Sequence, residues 1–366
     1  MVVAIPVRDE AECIAPCLWA IARQKSWQAD LVCLLINNTR DRSAAIARDL
    51  APALPFRLEV REQTSPPESA SAGHARRAVM EWAAELAGAR GVLLSTDADG
   101  CVAPDWIACN LAHLDEGAEA VAGRVELDPV DAAAIPDRLH EDDARECAYA
   151  AVLDEIAAHL DPDPWDPLPR HTEHSGASIC VTVNAYRRAG GMPAVALGED
   201  RAFFGALRRT DARIRHAPEV RVTVSGRIDG RALGGMADTI RRRLLAPDPW
   251  LDDALEPALV AVRRARLRWR TRRAFGIAVR SRSMLRGLAS DLGMRENAVA
   301  TALRAGFFGE AWARIEASSP VLVRARVPAA QLEAEMAAAM RELEALRSGA
   351  GGAAMLPDLA VAAAQT

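Results

Sequence analysis

Four short apolar runs separated by helix-length segments constrain this chain more than any other feature. Val2 to Val7 is continuously apolar, and after Arg8-Asp9-Glu10 the residues Ile14, Leu18 and Ile21 recur at helical spacing. Leu31 to Ile36 repeats the pattern, passing through Asn37-Asn38-Thr39-Arg40-Asp41 into a helix from Ser43, a good N-cap type, to Leu50. Phe56 to Val60 is a third strand, Thr64 to Gly73 a Ser- and Pro-rich loop, Ala75 to Leu86 a helix, and Gly91 to Ser95 the fourth strand. Unbroken apolar strands alternating with helices predict an α/β fold, its sheet mostly parallel with helices on both faces and its site along the C-terminal strand edge.

The alternation continues with a helix from Pro104 through Leu114, a strand at Ala118 to Val125 and a helix between Arg138 and His159. Asp161-Pro-Asp-Pro-Trp-Asp166 is expected to be a surface loop. Gly176 to Val183 and Arg213 to Thr223 are the last strands, with a short helix from Ala185 to Ala189 between them. The character then changes. The division expected is a catalytic domain over 1–235, a helical C-terminal extension over 236–348 and a disordered Gly-Ala tail over 349–366, with one short extended piece near Val321 to Val327.

The bulk numbers exclude more than they assign. The chain has 366 residues and a net charge of −5, and Lys25 is its only lysine, so its arginine richness reflects coding bias as much as anion binding. Seven cysteines at 13, 17, 33, 101, 109, 147 and 180 form no Cys-x-x-Cys pair, which argues against a disulfide framework or zinc knuckle and for a reducing cytoplasm. Neither a leader peptide nor a membrane span of about 20 apolar residues is expected. No helix-turn-helix, zinc or aromatic RNA-binding signature supports a nucleic-acid partner.

Asp97-Ala98-Asp99 closes the fourth strand. Residues two apart on an extended chain project to one side, so both carboxylates can face one divalent cation. Asp161-Pro162-Asp163 has the same spacing, but it sits in a Pro-rich loop instead of at a strand end. Gly198-Glu199-Asp200 stands before the helical stretch Arg201 to Arg209, where two carboxylates either complement the helix dipole or do chemistry.

Taken in order, these segments resemble the family 2 glycosyltransferases, with their GT-A, Rossmann-like nucleotide-sugar fold. Val3-Ala4-Ile5-Pro6-Val7-Arg8-Asp9-Glu10 is similar to the family's opening strand and Pro-x-Arg-Asn-Glu turn, with Asp9 for the commoner Asn. Leu35-Ile36-Asn37-Asn38-Thr39-Arg40-Asp41-Arg42-Ser43 resembles its second strand and turn, and Gly73-His74-Ala75-Arg76 its Gly-Lys-Ala segment. Leu94 to Asp99 matches the metal motif, Gly176-Ala177-Ser178 the acceptor-side strand, and Gly190-Gly191-Met192 with Gly198-Glu199-Asp200 the catalytic segment. The resemblance runs from Val2 to about Arg231.

It implies a soluble, cytoplasmic, hexosyl-type transferase moving a sugar from a nucleotide-diphosphate donor, UDP- or GDP-linked first, to a hydroxyl acceptor with inversion. Mg²⁺ or Mn²⁺ would be held by Asp99 and Asp97, with Asp97 also near the ribose. Pro6, Arg8, Glu10, Asn37 and Arg76 would border the nucleotide; Asn37 stands where relatives carry a base-reading Asp. Asp200 would be the general base and Glu199 its orienter or acceptor contact. His171, His174, Trp165 and Gly176 are acceptor candidates, with Tyr149 a further sugar-stacking candidate by location. The family's late metal-binding His has no counterpart in Val222 to Arg231, leaving Asp229, water, or Arg227 and Arg231 pairing with diphosphate oxygens. Alternatives are a retaining transferase on the same metal site and a non-catalytic sugar-nucleotide scaffold. The arginines at 241–243 and from Arg263 to Arg273 leave peripheral membrane contact open, and Trp250, Trp269 and Trp312 are expected to pack helices within the chain or against a second subunit.

Overall fold

The computed structural model describes residues 1–227, 230, 235–277 and 280–349, apart from the Met236 side chain. Two compact units form, one from 1–136 with 169–246 and one from 137–168 with the residues after 246. The middle of the chain therefore contributes to the second unit, a placement that a single cut at 235 does not carry. Of the expected tail over 349–366, residues 350–366 lie outside the described residues.

The first unit is built on strands β1 (Val2–Val7), β2 (Leu31–Asn37), β3 (Arg57–Gln63), β4 (Val92–Ser95), β5 (Cys101–Val102), β6 (Ala120–Leu127), β7 (Ile179–Thr182) and β8 (Ile214–Val224). They lie in the order β3-β2-β1-β4-β7-β6-β8-β5. Pairs β1 with β2, β2 with β3, β1 with β4, and β6 with β8 are parallel, whereas β7 runs antiparallel to both β4 and β6. The sheet is mixed, with the expected parallel core in its first half. Strand β5 was not foreseen: two residues are too few to show a period, and Cys101 and Val102 extend only by pairing antiparallel with β8.

Alternate side chains of β1 explain its unbroken apolar sequence. Val3, Ile5 and Val7 pack with Ile14, Leu18 and Ile21 of helix Ile14–Ala22. Val2 and Ala4 face Val79, Met80 and Ala83 of helix Ala72–Ala87, in a layer shared with Phe203, Phe204 and Leu207 of helix Glu199–Arg209. With helices on both faces, neither side of the strand meets water.

The topology also gathers the polar turns. Parallel β1, β2 and β4 all finish at one edge, delivering Glu10, Asn37 and Asp97 there. Because β7 is antiparallel to β4, with Ile179 opposite Ser95, the Gly176–Ser178 turn that enters it lies at that edge too. Strand β8 runs parallel to β6, so its exit at Ser225, Gly226 and Arg227 arrives at the same place.

The second unit is helical. Asp137–Leu160, Ala258–Phe275 and Leu332–Arg347 enclose a core that includes Tyr149, Ile156, Leu255, Val262 and Leu343. Arg282–Asp291, Glu296–Ala302 and Phe308–Ser318 pack around Leu288, Leu292, Phe308 and Trp312. Where an extended piece is expected over Val321 to Val327, its start is a 3₁₀ turn, Pro320–Leu322, and just beyond its end Pro328 makes an isolated antiparallel bridge with Trp250. No helix among the described residues is long and apolar enough to cross a membrane.

Candidate functional site

Arg76 is the hub of the strand edge. Ser71 caps helix Ala72–Ala87 by accepting from the His74 N–H at 3.3 Å, and Arg76 follows one turn in. Its side chain is only 5% exposed and donates to four groups. Nε reaches Glu199 Oε1 at 3.0 Å, Nη1 reaches Ser95 Oγ and the Gly176 carbonyl at 2.9 Å each, and Nη2 pairs with Asp97. Burial alone would favour losing the charge, but Asp97 and Glu199 hold the guanidinium far above its ordinary value. Glycine at 176 is a steric requirement, since a Cβ there would stand 2.4 Å from Arg76 Cζ. The sequence expects Arg76 to approach a diphosphate; its donors join Asp97 to Glu199.

Asp99 faces a second guanidinium. Arg227 makes a bidentate pair with Glu10, at 2.9 Å from Nη1 and 2.5 Å from Nη2, and its Nη2 lies 3.2 Å from an Asp99 oxygen. Burial and then the neighbouring Asp97 charge push the Asp99 carboxyl up to about 7, against the pull of Arg227. Glu10 is anchored by its own N–H, which donates to Ser43 Oγ at 2.8 Å. Ser43 thus sits in the first turn of helix Ser43–Leu50 instead of capping it, with Asp41 accepting from its N–H at 2.9 Å. Beside the motif, the Cys17 thiol donates to the Asp97 carbonyl at 3.4 Å, and the buried Thr96 Oγ1 has no hydrogen-bond partner among the described residues.

The segment expected to be catalytic starts with Gly198 in the left-handed region at φ 66°, a conformation that favours glycine and lets the chain turn into helix Glu199–Arg209. Asp200 Oδ1 accepts from the Arg201 N–H at 2.7 Å and Oδ2 from the Gly176 N–H at 3.2 Å. Burial raises the Asp200 carboxyl above its usual range, opposed by the Arg201 N–H. A carboxylate of raised basicity beside the turn entering β7 can accept a proton.

The remaining candidates divide. Asn37 is buried at the end of β2 and accepts from Ser65 Oγ at 2.9 Å, and Pro6 lies one strand over, opposite Leu35. Arg8 is exposed and donates to the Ala70 carbonyl at 3.3 Å. His171 is buried, with Nε2 3.1 Å from the Ala122 carbonyl and Nδ1 accepting from the Glu173 N–H at 3.2 Å. Both ring nitrogens are therefore committed. His174 Nε2 lies 3.0 Å from His216 Nε2 and 2.8 Å from Arg208 Nη2, with its ring against Phe204. Sequence reasoning did not single out Ser95 or Arg208, whose contacts arise only when β7 and β8 flank helix Glu199–Arg209.

Trp165 belongs to the second unit and is partly exposed. Tyr149 is fully buried there, donating its hydroxyl to the Glu256 carbonyl at 2.7 Å, so it is core and no sugar platform. Asp161 and Asp166 of the expected surface loop are buried as well, the first by ion pairs with Arg268 and Arg272. Asp229 and Arg231 lie outside the described residues.

For a divalent cation, the described residues offer no group of three His, Cys, Asp or Glu side chains able to hold it. The donor set at Asp97 and Asp99 nevertheless suits Mg²⁺ or Mn²⁺, which commonly take one or two carboxylates and complete their shell with phosphate oxygens and water.

The family model described as glycosyl transferase family 2 matches residues 2–188, the half of the chain that carries β1 to β4, the metal motif and β7. The chain belongs to glycosyl transferase family 2. Its mixed sheet with helices on both faces is the GT-A architecture that the resemblance implied. Solved structures similar to this glycosyltransferase include the Pyrobaculum calidifontis mannosyltransferase in complex with GDP-Man and Mn²⁺, at 16% identity over 95% of this chain and 86% of that one, TM-score 0.44. TarS residues 1–349 of S. aureus in complex with UDP match at 11% identity over 95% and 91%, TM-score 0.41. Glucosyl-3-phosphoglycerate synthase from Mycobacterium tuberculosis, with Mn²⁺, UDP and phosphoglyceric acid, matches at 17% identity over 67% and 76%, TM-score 0.39. No match was found among curated proteins.

Proposed function

We propose that this glycosyltransferase moves a hexosyl group from a UDP- or GDP-linked donor to an acceptor hydroxyl with inversion, using a divalent cation at Asp97 and Asp99. The observation that carries the reading is the chain of contacts from Asp97 through Arg76 to Glu199, which fixes the metal motif against the helix bearing Asp200. Asp200 takes the acceptor proton as the hydroxyl oxygen bonds to the anomeric carbon, and the bond from that carbon to the diphosphate oxygen breaks. The cation, when bound, stabilises charge on the departing diphosphate. Glu10 and Asn37 border the nucleotide, Glu199 holds Arg76 and orients the turn at Gly176, and the acceptor enters beside Gly176. The raised basicity of Asp200 supports its role as base.

A thermal-shift screen of UDP, GDP, dTDP, CDP and ADP, with and without Mn²⁺ or Mg²⁺, tests the site. A ligand at about a hundred times its dissociation constant stabilises the fold by roughly 2.7 kcal/mol. A metal-dependent shift for one nucleotide that disappears in Asp99→Ala is the expected result, and no shift with any of them would sink the reading. With the donor known, Asp200→Asn should lower kcat by at least about a hundredfold. Turnover left near the wild-type rate would point to a retaining reaction on the same metal site.

A further inference from the structure

The two guanidiniums on the metal motif are not equivalent. Arg76 is 5% exposed, and its contacts to Glu199, Ser95, Gly176 and Asp97 fix it inside the first unit. Arg227 is 25% exposed and leaves β8 at the edge where a diphosphate would lie, yet its planar fork is set on Glu10 and reaches Asp99. A cation already stands beside the carboxylate expected to bind Mg²⁺ or Mn²⁺. Two positive groups on one carboxylate repel each other, so the metal ion and the Arg227 guanidinium compete for Asp99. A diphosphate resolves the conflict, because its oxygens match the bidentate fork of arginine and leave the carboxylate to the metal.

We propose that Arg227 is an exchangeable cation of the metal motif: it occupies Asp99 when no donor is bound and transfers to the nucleotide diphosphate as the divalent ion takes its place. The inference rests on the metal-nucleotide reading above and adds to it an ordered dependence. Asp99 binds the ion weakly until a diphosphate draws Arg227 away, and by linkage the ion and the nucleotide strengthen each other. The same exchange accounts for a family member without the late metal-binding histidine in this stretch. The position is served by a residue that neutralises the motif in one state and the leaving group in the other.

Mn²⁺ binding measured by electron paramagnetic resonance, and UDP or GDP binding measured by calorimetry, test this on the full chain as wild type, Arg227→Gln and Arg227→Lys. In Arg227→Gln, Mn²⁺ alone should bind about tenfold more tightly than in wild type, while the nucleotide at saturating Mn²⁺ should bind about tenfold more weakly. Arg227→Lys keeps the charge and loses the fork, so both affinities should fall between the other two proteins, and it carries the test if the Gln variant does not fold. Opposite signs for the two ligands are the signature; a merely structural arginine would weaken both or neither, and either result overturns the proposal. If the wild type binds no nucleotide with Mn²⁺, or binds it equally well in Asp99→Ala, the metal-nucleotide reading itself fails. If Asp99→Ala abolishes binding and Arg227→Gln changes neither affinity, only the exchange fails.

Discussion

Truncating Arg76 would strand two carboxylates that the fold has turned toward it. Removing one partner of a buried ion pair costs about 3–5 kcal/mol, and because Asp97 keeps a third of its side-chain exposure, the lower end of that range applies to Arg76→Ala. Urea denaturation followed by circular dichroism should show the midpoint fall with the slope unchanged. Gly176→Ala drives a methyl group to 2.4 Å from the same guanidinium and should also destabilise, by about 1–3 kcal/mol. The two effects share a cause, so most of the Gly176→Ala cost should disappear when Arg76 is already Met, and additive costs would show that Arg76 is not the obstacle. The sequence marked both residues as site candidates, yet it could not show that they touch. That contact depends on β7 entering the sheet antiparallel beside β4, a pairing that no local pattern at Gly176 declares.

Helix Glu199–Arg209 is pinned at both ends to the segment that precedes β7. At its start Asp200 accepts from the Gly176 N–H, and at its end Arg208 donates to His174, which in turn meets His216 on β8. Burial, Arg208 and the imidazoles of His216 and His171, with Arg201 farther down the order, push His174 down to about 2. The unfolded chain takes up a proton near pH 6.5. Between that pH and about 2 the unfolded state therefore binds the extra proton, so stability is intact above pH 6.5 and is lost as pH falls below it. At pH 5 the loss attributable to His174 is about 2 kcal/mol at most, each pH unit being worth about 1.4 kcal/mol. His174→Asn should flatten the pH dependence of the unfolding midpoint between pH 6.5 and 5, and an unchanged slope would mean that His174 protonates readily in the folded protein. At this scale the sequence was legible where one face or both faces of an element are apolar: β1, β2, β4 and helix Ser43–Leu50 lie where periodicity put them. It was least legible at short or polar pieces. The strand expected from Gly176 begins only at Ile179, after a turn at Gly176–Ser178, and nothing in the sequence marks the two-residue β5.

In the arginine-rich part of the chain, the fold assigns partners that composition cannot. The sequence leaves helix Ala258–Phe275 open to contact with anionic headgroups, and within the second unit five of its arginines meet carboxylates: Arg264 meets Glu256 and Glu316, Arg266 meets Glu342, Arg270 meets Asp291, and Arg268 and Arg272 share Asp161. Asp161 explains why the start of the loop after helix Asp137–Leu160 turns inward while Pro162, Pro164 and Trp165 stay exposed. Its side chain is 3% exposed, Arg272 Nε lies 2.9 Å from one oxygen, and the Arg272 guanidinium also stands 4.4 Å from the centre of the Phe308 ring. A carboxylate between two guanidiniums holds the helix, the loop and the ring in one arrangement. Its loss leaves two cations facing each other without a counter-charge. Asp161→Asn keeps the shape and removes only the charge, so it should cost about 2–4 kcal/mol, and the loss should shrink as salt screens the remaining pair. Arg273→Gln is the control, because Arg273 is exposed and stacks on Trp269 at 4.9 Å, and it should stay within about 0.5 kcal/mol of wild type. Equal effects of the two substitutions in chemical denaturation would mean that the arginines of this helix serve a solvated face and that Asp161 organises nothing.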